Sequence, residues 1–376
     1  MNILIAPDKF KGSLTAREVC KAIEQGLLSI DSNLNISTIP LADGGEGTCE
    51  VLTEFSQGKK IKMKVLDPLF REIESEYGIS ADGTCAFIEM AKASGLQLLS
   101  SEERNPLLTT TIGTGQLICN ALDRGVNKII LGIGGSATID AGMGMASALG
   151  FLFLSESKEN LKPIGENMIH INSIQMDHPH SKLREVEFTV LCDVDNPLIG
   201  KQGAAFVYGP QKGGNSNSVN DLDLGLQHFA SVVMSQLNIN VNFPGAGAAG
   251  GLGAGAKAFL KANFSKGIDY IIQFTHLEER IKNADLIITG EGKIDEQTLS
   301  GKVVMGVAQL AARHRKPCIA FAGKNELDTI QSQALGVPEI ITLANEFTNE
   351  AEAMNNAFSI LKERVSTHLR HWIFSS

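Results

Sequence analysis

Seven carboxylates stand near glycine or proline where an apolar run of this chain gives out: Asp8, Asp43, Asp140, Asp193, Asp195, Glu291 and Asp295. Lys9, Lys11, Arg71 and Lys293 supply cations in the same kind of loop. The stretch 128–150, KIILGIGGSATIDAGMGMASALG, adds a third ingredient. Its apolar run Ile129–Ile133 reads as a buried strand, Gly134, Gly135 and Ser136 break that run, and a small-residue helix is expected over 141–149. Glycines between a strand and a helix can turn backbone N–H groups toward an anion, and the helix N-terminus adds its positive dipole end. Close packing by Gly and Ala is the other use of the same residues. Phosphoryl transfer employs all three ingredients: backbone donors, cations against the developing charge, and carboxylates that hold Mg²⁺ or orient the attacking hydroxyl.

Competing chemistries are weaker. No G-x-x-x-x-G-K followed by Ser or Thr is present, and protein-kinase signatures are missing. Residues 132–137 fit G-x-G-x-x-A, and Glu156 stands about where a dinucleotide fold places its ribose-binding acid, so a nicotinamide-dependent dehydrogenase is the alternative enzyme. A non-catalytic small-molecule-binding protein is the alternative outside enzymology.

The elements that would position these loops alternate. A strand over 2–6 precedes a helix with Val19, Ile23 and Leu27 at helical spacing and a Ser or Thr cap. A second strand over 35–41 ends in Asp43-Gly44-Gly45-Glu46-Gly47, before a helix carrying Val51, Leu52 and Phe55. From 59 to 98 the texture becomes that of an antiparallel meander. Residues 151–184 show little pattern, and His170, His178 and His180 there read as solvated surface rather than metal ligands. A strand over 187–191 leads into Cys192-Asp193-Val194-Asp195. The glycine-rich 244–255 feeds a helix over 256–262. Alternation then resumes, with strands over 285–289, 317–322 and 339–343 and a last helix over 350–370. The pattern predicts an α/β protein of two domains: a Rossmann-like or flavodoxin-like parallel-sheet domain built from 1–60 and 276–376, and a mixed α/β domain of 61–275 inserted into it.

Composition bounds the partners. The net charge of −9 argues against nucleic acid or a membrane surface. Six cysteines lie far apart without a C-x-x-C pair, which suits free thiols in a reducing compartment rather than zinc. With no signal peptide expected in MNILIAPDKFKGS and no long apolar window, a cytoplasmic protein is expected, either monomer or homodimer.

Eight stretches carry a family resemblance: PDKFKGSLTA (7–16), PLADGGEGT (40–48), GTGQLI (113–118), GIGGSATIDAGMGMASALG (132–150), CDVDNPLIG (192–200), YGPQKG (208–213), PGAGAAGGLGAG (244–255) and GEGKIDEQTLSGK (290–302). In these the chain resembles the bacterial glycerate kinases, in the family's order and over nearly its whole length. The resemblance implies ATP-dependent, Mg²⁺-assisted phosphorylation of D-glycerate, most simply at the 2-hydroxyl, in a cleft between two α/β domains. It suggests that Gly134, Gly135 and Ser136, with Gly290 and Gly292, cradle the nucleotide. Asp193 or Asp43 would orient the hydroxyl, and Asp140, Asp195 or Glu291 would reach Mg²⁺. Lys9, Lys11 or Lys293 would offset phosphate charge, and Arg71 or a lysine would bind the glycerate carboxylate. Two positions depart from the family pattern: Ile139 replaces a usual Asn, and Phe70 a usual Gly.

Overall fold

The computed structural model describes residues 1–176, 178–299, 301–344 and 350–374, so Ser300 of the 290–302 motif lies outside the described residues. The strands in chain order begin with β1 (Asn2–Ile5), β2 (Asn35–Thr38), β3 (Lys59–Leu66), β4 (Glu72–Ile79) and β5 (Cys85–Glu89). They continue with β6 (Lys128–Gly132), β7 (Leu152–Leu154), β8 (Ser173–Gln175), β9 (Glu187–Leu191) and β10 (Asn263–Ser265). The last are β11 (Leu286–Ile294), β12 (Cys318–Asn325) and β13 (Glu339–Thr342). The chain divides into two compact units, one of Met1–Asp43 with Ile268–Ser376 and one of Gly44–Gly267.

In the first unit the strands run all parallel in the order β13-β12-β11-β1-β2. Numbered within the unit and read from the other edge this is 2-1-3-4-5, the flavodoxin-like order, with its topological switch between β1 and β11. Apolar runs make the central strands β1, β11 and β12, which are covered on both faces, while the edge strand β2, Asn-Ile-Ser-Thr, is largely exposed. Ile3, Ile5, Leu286, Ile288, Ile319 and Phe321 are buried in one cluster with Val19, Ile23, Leu361 and Val365. The helix Ala16–Leu28 opens with a complete capping box. Thr15 Oγ1 accepts from Glu18 N at 3.2 Å, and Glu18 Oε2 accepts from Thr15 N at 2.8 Å. That helix lies against the helix Ala357–His368, so the two ends of the chain meet through packed helices as well as through the sheet.

The second unit holds a mixed sheet, β10-β9-β6-β5-β4-β3, with β5, β6, β9 and β10 parallel and the β3–β4 hairpin antiparallel. The expected meander is therefore β3–β4–β5. The helix Thr48–Phe55 belongs to this unit, because Cys49 N donates to Glu89 Oε1 (2.8 Å) and Gly78 N donates to Cys49 Sγ (3.1 Å). Its core includes the ring of Phe259 ringed by Phe151, Phe153 and Phe229 at 5.0, 5.6 and 6.2 Å.

Several elements differ from the sequence expectation. A 22-residue helix, Ser216–Leu237, capped by Asn215, was not anticipated in this polar stretch. The unpatterned region contains an antiparallel ribbon, β7 with β8. The helix expected over 141–149 is only Met143–Ala148, and the glycine-rich segment is itself the helix Ala248–Gly255, kinked by positive φ at Ala249, Gly250 and Gly251. The last helix is broken into Glu350–Asn355, Ala357–His368 and Arg370–Phe374. His180 bonds Asp123 Oδ1 through Nε2 (3.1 Å) and accepts Lys182 N on Nδ1, a local structural role. Phe70 takes φ +64°, the left-handed region that explains glycine as the usual residue there, and its ring sits 4.3 Å below Lys162 Nζ. Among the described residues no helix is long and apolar enough to cross a membrane.

Gly26 shows how close the terminal helices lie. An added Cβ would fall 2.7 Å from the Lys362 carbonyl oxygen and 2.7 Å from Val365 Cβ. Alanine gains up to about 1 kcal/mol of helix propensity over glycine, but overpacking costs about 1–3 kcal/mol, and here a backbone oxygen must move. Gly26→Ala is therefore expected to destabilise the protein by about 1–2 kcal/mol, read as a lower urea midpoint at unchanged slope.

Candidate active site

In the first unit the chemistry gathers at the switch point. Beyond Ile5 the first strand stays in register, with Ala6 N donating to Ile288 O (2.7 Å) and Asp8 N to Gly290 O (2.8 Å). Asp8, just past β1, and Glu291, on the part of β11 that extends beyond β1, thus lie close together, 7% and 5% exposed. With Asp43 they line one pocket of about 660 Å³, together with Lys9, Lys11 and Lys293. Phe10, Leu343, Met354 and Ala357 give that pocket an apolar wall.

Burial pushes the Asp8 carboxyl up to about 7, and the neighbouring Asp43 charge adds to the rise. Burial likewise raises Glu291 to about 7, against the hydrogen bond that Thr298 Oγ1 donates to its Oε1 and the charge of Lys302. Clustered buried carboxylates of this kind favour a proton or a cation. Among the described residues no group of three or more His, Cys, Asp or Glu side chains is arranged to hold a metal by itself. Mg²⁺ needs less, since one or two carboxylates suffice when phosphate and water complete its shell.

The other residues expected in this unit have different surroundings. Lys293 is exposed and pairs with Glu326 (2.7 Å) and Asp295 (3.6 Å), which raises its pKa through the Glu326 hydrogen bond. Gly290 is buried, and a Cβ there would fall 2.4 Å from Phe321 O; at Gly292 it would fall 2.9 Å from Lys11 N. Both positions require glycine for close approach of backbone to backbone, and Gly292 also lines the pocket.

In the second unit β5, β6 and β9 end side by side in Glu89, Gly132 and Leu191, and the exposed Asp193 follows two residues past β9. Asp193 Oδ1 accepts from Gly267 N at 2.8 Å. Gly44, at φ +95°, leaves room for Asp193, whose Oδ2 would lie 3.2 Å from a Cβ. A Cβ at Gly132 would fall 2.9 Å from Gly44 O, so the 44–47 loop crosses directly over the glycine turn. In that turn Gly134 and Gly135 are exposed and Ser136 is buried. Leu96 N bonds Gly135 O (2.9 Å) and Ala137 N bonds Ser94 O (2.9 Å), which pins the turn on both sides. Asp195 is exposed on the segment after β9.

Asp140 calls for a correction. It is fully buried, and its oxygens accept from Thr111 N (2.8 Å), Thr111 Oγ1 (2.8 Å), Gly142 N (3.2 Å) and Gly144 N (3.1 Å). Burial raises its pKa while these donors lower it. The carboxylate caps the short helix Met143–Ala148 from within, so neither a metal nor a phosphate has a place there, and the helix N-terminus expected to face an anion is already filled. Arg71 is engaged too. Its Nε donates to Asp67 Oδ2 (2.6 Å) and its Nη1 to Glu103 Oε1 (2.5 Å), and the Asp67 bond raises its pKa. Nor does the G-x-G-x-x-A pattern open a helix, since the next one starts only at Met143, and Glu156 sits in an exposed turn after β7.

Two buried residues escaped sequence reasoning. Glu89, 4% exposed, bonds the N-terminal amide of Cys49. Lys212, inside the 208–213 motif, is buried with its Nζ 2.6 Å from Ser136 Oγ and 2.7 Å from Thr138 O. A lysine in a Gly-Pro-Gln-Lys-Gly loop looks solvated, and only the long-range packing reveals otherwise.

Acidic and basic groups at a doubly wound switch point, and a glycine turn beside an exposed carboxylate, define a phosphate-handling α/β enzyme. Comparison with known proteins narrows this. The model of the Glycerate kinase family matches residues 3–373. A glycerate kinase of Halalkalibacterium halodurans is 46% identical over 96% of this chain and 95% of its own. The glycerate 2-kinase of Escherichia coli K12 is 42% identical over 95% and 94%. The crystal structure of a Salmonella typhimurium LT2 protein assigned as glycerate kinase 2 superposes with a TM-score of 0.90 at 40% identity, covering 100% of this chain and 98% of the other. The chain belongs to the glycerate kinase family.

The raised carboxyls carry a stability signature whose sign is opposite to that of a salt-bridged acid. Asp8 ordinarily titrates near 3.8 and here near 7, so the folded state holds the proton that the unfolded chain has released. The penalty grows as pH rises from about 4 and is complete above about 7, and for Asp8 it amounts to about 4 kcal/mol. Asp8→Asn in metal-free buffer is expected to raise the melting temperature at pH 8 by several degrees, with a smaller gain at pH 5. An equal gain at both pH values would contradict it.

Proposed function

We propose that this protein transfers the γ-phosphoryl group of ATP to D-glycerate, giving ADP and 2-phospho-D-glycerate. The observation that carries the reading is the pocket in which Asp8, Asp43 and Glu291 stand among Lys9 and Lys11 at the switch point. Phosphoryl transfer asks chiefly for positioning and charge compensation, and this is a set of groups for both. The choice of the 2-hydroxyl leans on the relative named glycerate 2-kinase.

Asp8 and Glu291 would hold Mg²⁺, which when bound offsets phosphate charge and fixes the nucleotide's phosphate geometry. Lys9 and Lys11 add positive charge against the phosphates. Lys293 contributes less, because Glu326 and Asp295 already offset it. In the second unit the exposed amides of Gly134 and Gly135, with Ser136, are the donors proposed for a phosphate of the nucleotide. Asp193 takes the proton of the glycerate hydroxyl, its plane set by the Gly267 N–H. Asp43 is the second choice for that proton. With Arg71 held by Asp67 and Glu103, a lysine is the better partner for the glycerate carboxylate. An ATP-consuming reaction suits the cytoplasm, where the free cysteines stay reduced.

The direct test couples ADP release to D-glycerate, ATP and Mg²⁺ and identifies the product by phosphorus NMR. Glycerate-dependent ADP release with a 2-phosphate signal is expected; folded protein that releases no ADP at millimolar substrate would overturn the reading. Asp193→Asn is expected to lower kcat by about 10²–10⁴-fold with an unchanged melting temperature, because the residue is exposed and the amide still accepts from Gly267 N. Near-normal turnover in that variant would remove Asp193 from the mechanism.

A further inference from the structure

Lys212 has no part in the chemistry described so far, yet the fold goes to some length to bury it. Its side chain is 2% exposed. It lies in the turn Pro210–Lys212, which is clamped on both flanks: a Cβ at Gly209 would fall 2.3 Å from Ala205 O, and one at Gly213 (φ +89°) would fall 2.2 Å from Arg104 O. The turn therefore drives the lysine inward. Its Nζ donates to Ser136 Oγ (2.6 Å) and to Thr138 O (2.7 Å), with the Tyr208 ring centroid 5.9 Å away. Burial presses the ammonium down to about 7, against the nearby Asp140 charge. An unbranched apolar residue would fill the same space without the desolvation penalty of an amine. Packing alone does not account for a lysine here.

What the amine touches is the glycine turn. Ser136 is the last residue of Gly134-Gly135-Ser136, and its hydroxyl is the acceptor in the Lys212 bond. A serine hydroxyl has one proton and two lone pairs, so a serine that accepts from Lys212 keeps its own proton to donate elsewhere. The second donor bond, to Thr138 O, fixes the backbone two residues on. Together they hold the buried end of the turn while Gly134 and Gly135 stay exposed.

We infer that Lys212 is a positioning residue for phosphate recognition: it accounts for one lone pair of Ser136, turns the hydroxyl proton toward a phosphate of the nucleotide, and locks the exposed Gly134 and Gly135 amides beside it. The inference deepens the kinase reading and rests on the assignment of this turn to the nucleotide.

Lys212→Met keeps the length and the apolar stem and removes only the donors, while Ser136→Ala removes the acceptor. Each is expected to raise the KM for ATP about tenfold or more, as a lost hydrogen bond to a charged partner does, with the KM for glycerate little changed. Because the lysine acts through the serine, the double variant is expected to be no worse than the poorer single one, and the rise confined to the KM for ATP, with glycerate KM and melting temperature little changed, separates this from loosened packing. An ATP KM within about twofold of the unaltered protein in folded Lys212→Met, or a double variant whose effect is the product of the two singles, overturns the inference. If Lys212→Met does not fold, an unchanged ATP KM in Ser136→Ala overturns it equally. Lack of glycerate-dependent ADP release in the unaltered protein sinks the kinase reading itself, whereas normal turnover with an unmoved ATP KM in the variants sinks only the role of Lys212.

Discussion

Ile3, Leu4 and Ile5 lie in register with Leu286, Ile287 and Ile288, so two segments from opposite ends of the chain run side by side, and β11 runs on past the end of β1 to Ile294. Parallel strands buried on both faces tolerate polar groups poorly, because no water reaches the middle to solvate them. Asp8, past the end of β1, and Glu291, on the stretch of β11 that outruns β1, are the exceptions, and both stay buried. The pairing that completes the apolar core of the first unit is thus the same pairing that brings two carboxylates together. The second unit repeats the logic with different residues, as β5 and β6 finish in Glu89 and Gly132 and Asp193 follows just past the end of β9.

Magnitudes separate the charges that shape the protein from those that decorate it. The cross-strand pairs of Lys62 with Glu74 and Lys64 with Glu72 are exposed and contribute about 0–1 kcal/mol each. Asp8 and Glu291 are nearly dry, and their desolvation outweighs any such surface pair. A cation brought in with a nucleotide would relieve that cost, so binding and electrostatic relief point the same way. Lys293 illustrates the reverse case: conspicuous in the sequence, it spends its charge on Glu326 in open solvent.

The fold was legible where periodicity spoke: the apolar runs of β1, β6, β9, β11 and β12, and the helix begun by Thr15. The long helix Ser216–Leu237 was legible in principle, since Val219, Leu222, Leu226, Phe229 and Val233 recur at helical spacing, but Asn, Ser and Gly225 among them read as loop. The site was less legible for a different reason. Asp8, Asp43 and Glu291 sit in recognisable loops, and the structure gathers them. Asp140 occupies an equally recognisable loop and does other work, because residue type cannot distinguish a carboxylate facing solvent from one that caps a buried helix. Lys212 and Glu89 depend on contacts far apart in sequence, which no local pattern carries.

Ile139 shows why a visible departure from a family pattern need not disturb the site. Its side chain is fully buried in the core of the second unit, and the backbone around it is gripped from two directions. A Cβ at Gly250 (φ +68°) would lie 1.9 Å from Thr138 O, and one at Gly165 would lie 2.7 Å from Ile139 O. Two glycines thus let neighbouring backbones close directly on this turn, and Ala141 N bonds Gly250 O at 3.2 Å. The position of Asp140, and through it the start of the helix Met143–Ala148, is set by main-chain contact and by Thr111 rather than by the side chain at 139. An apolar residue there gains burial on the core side, while the path of the glycine turn remains determined by the backbone.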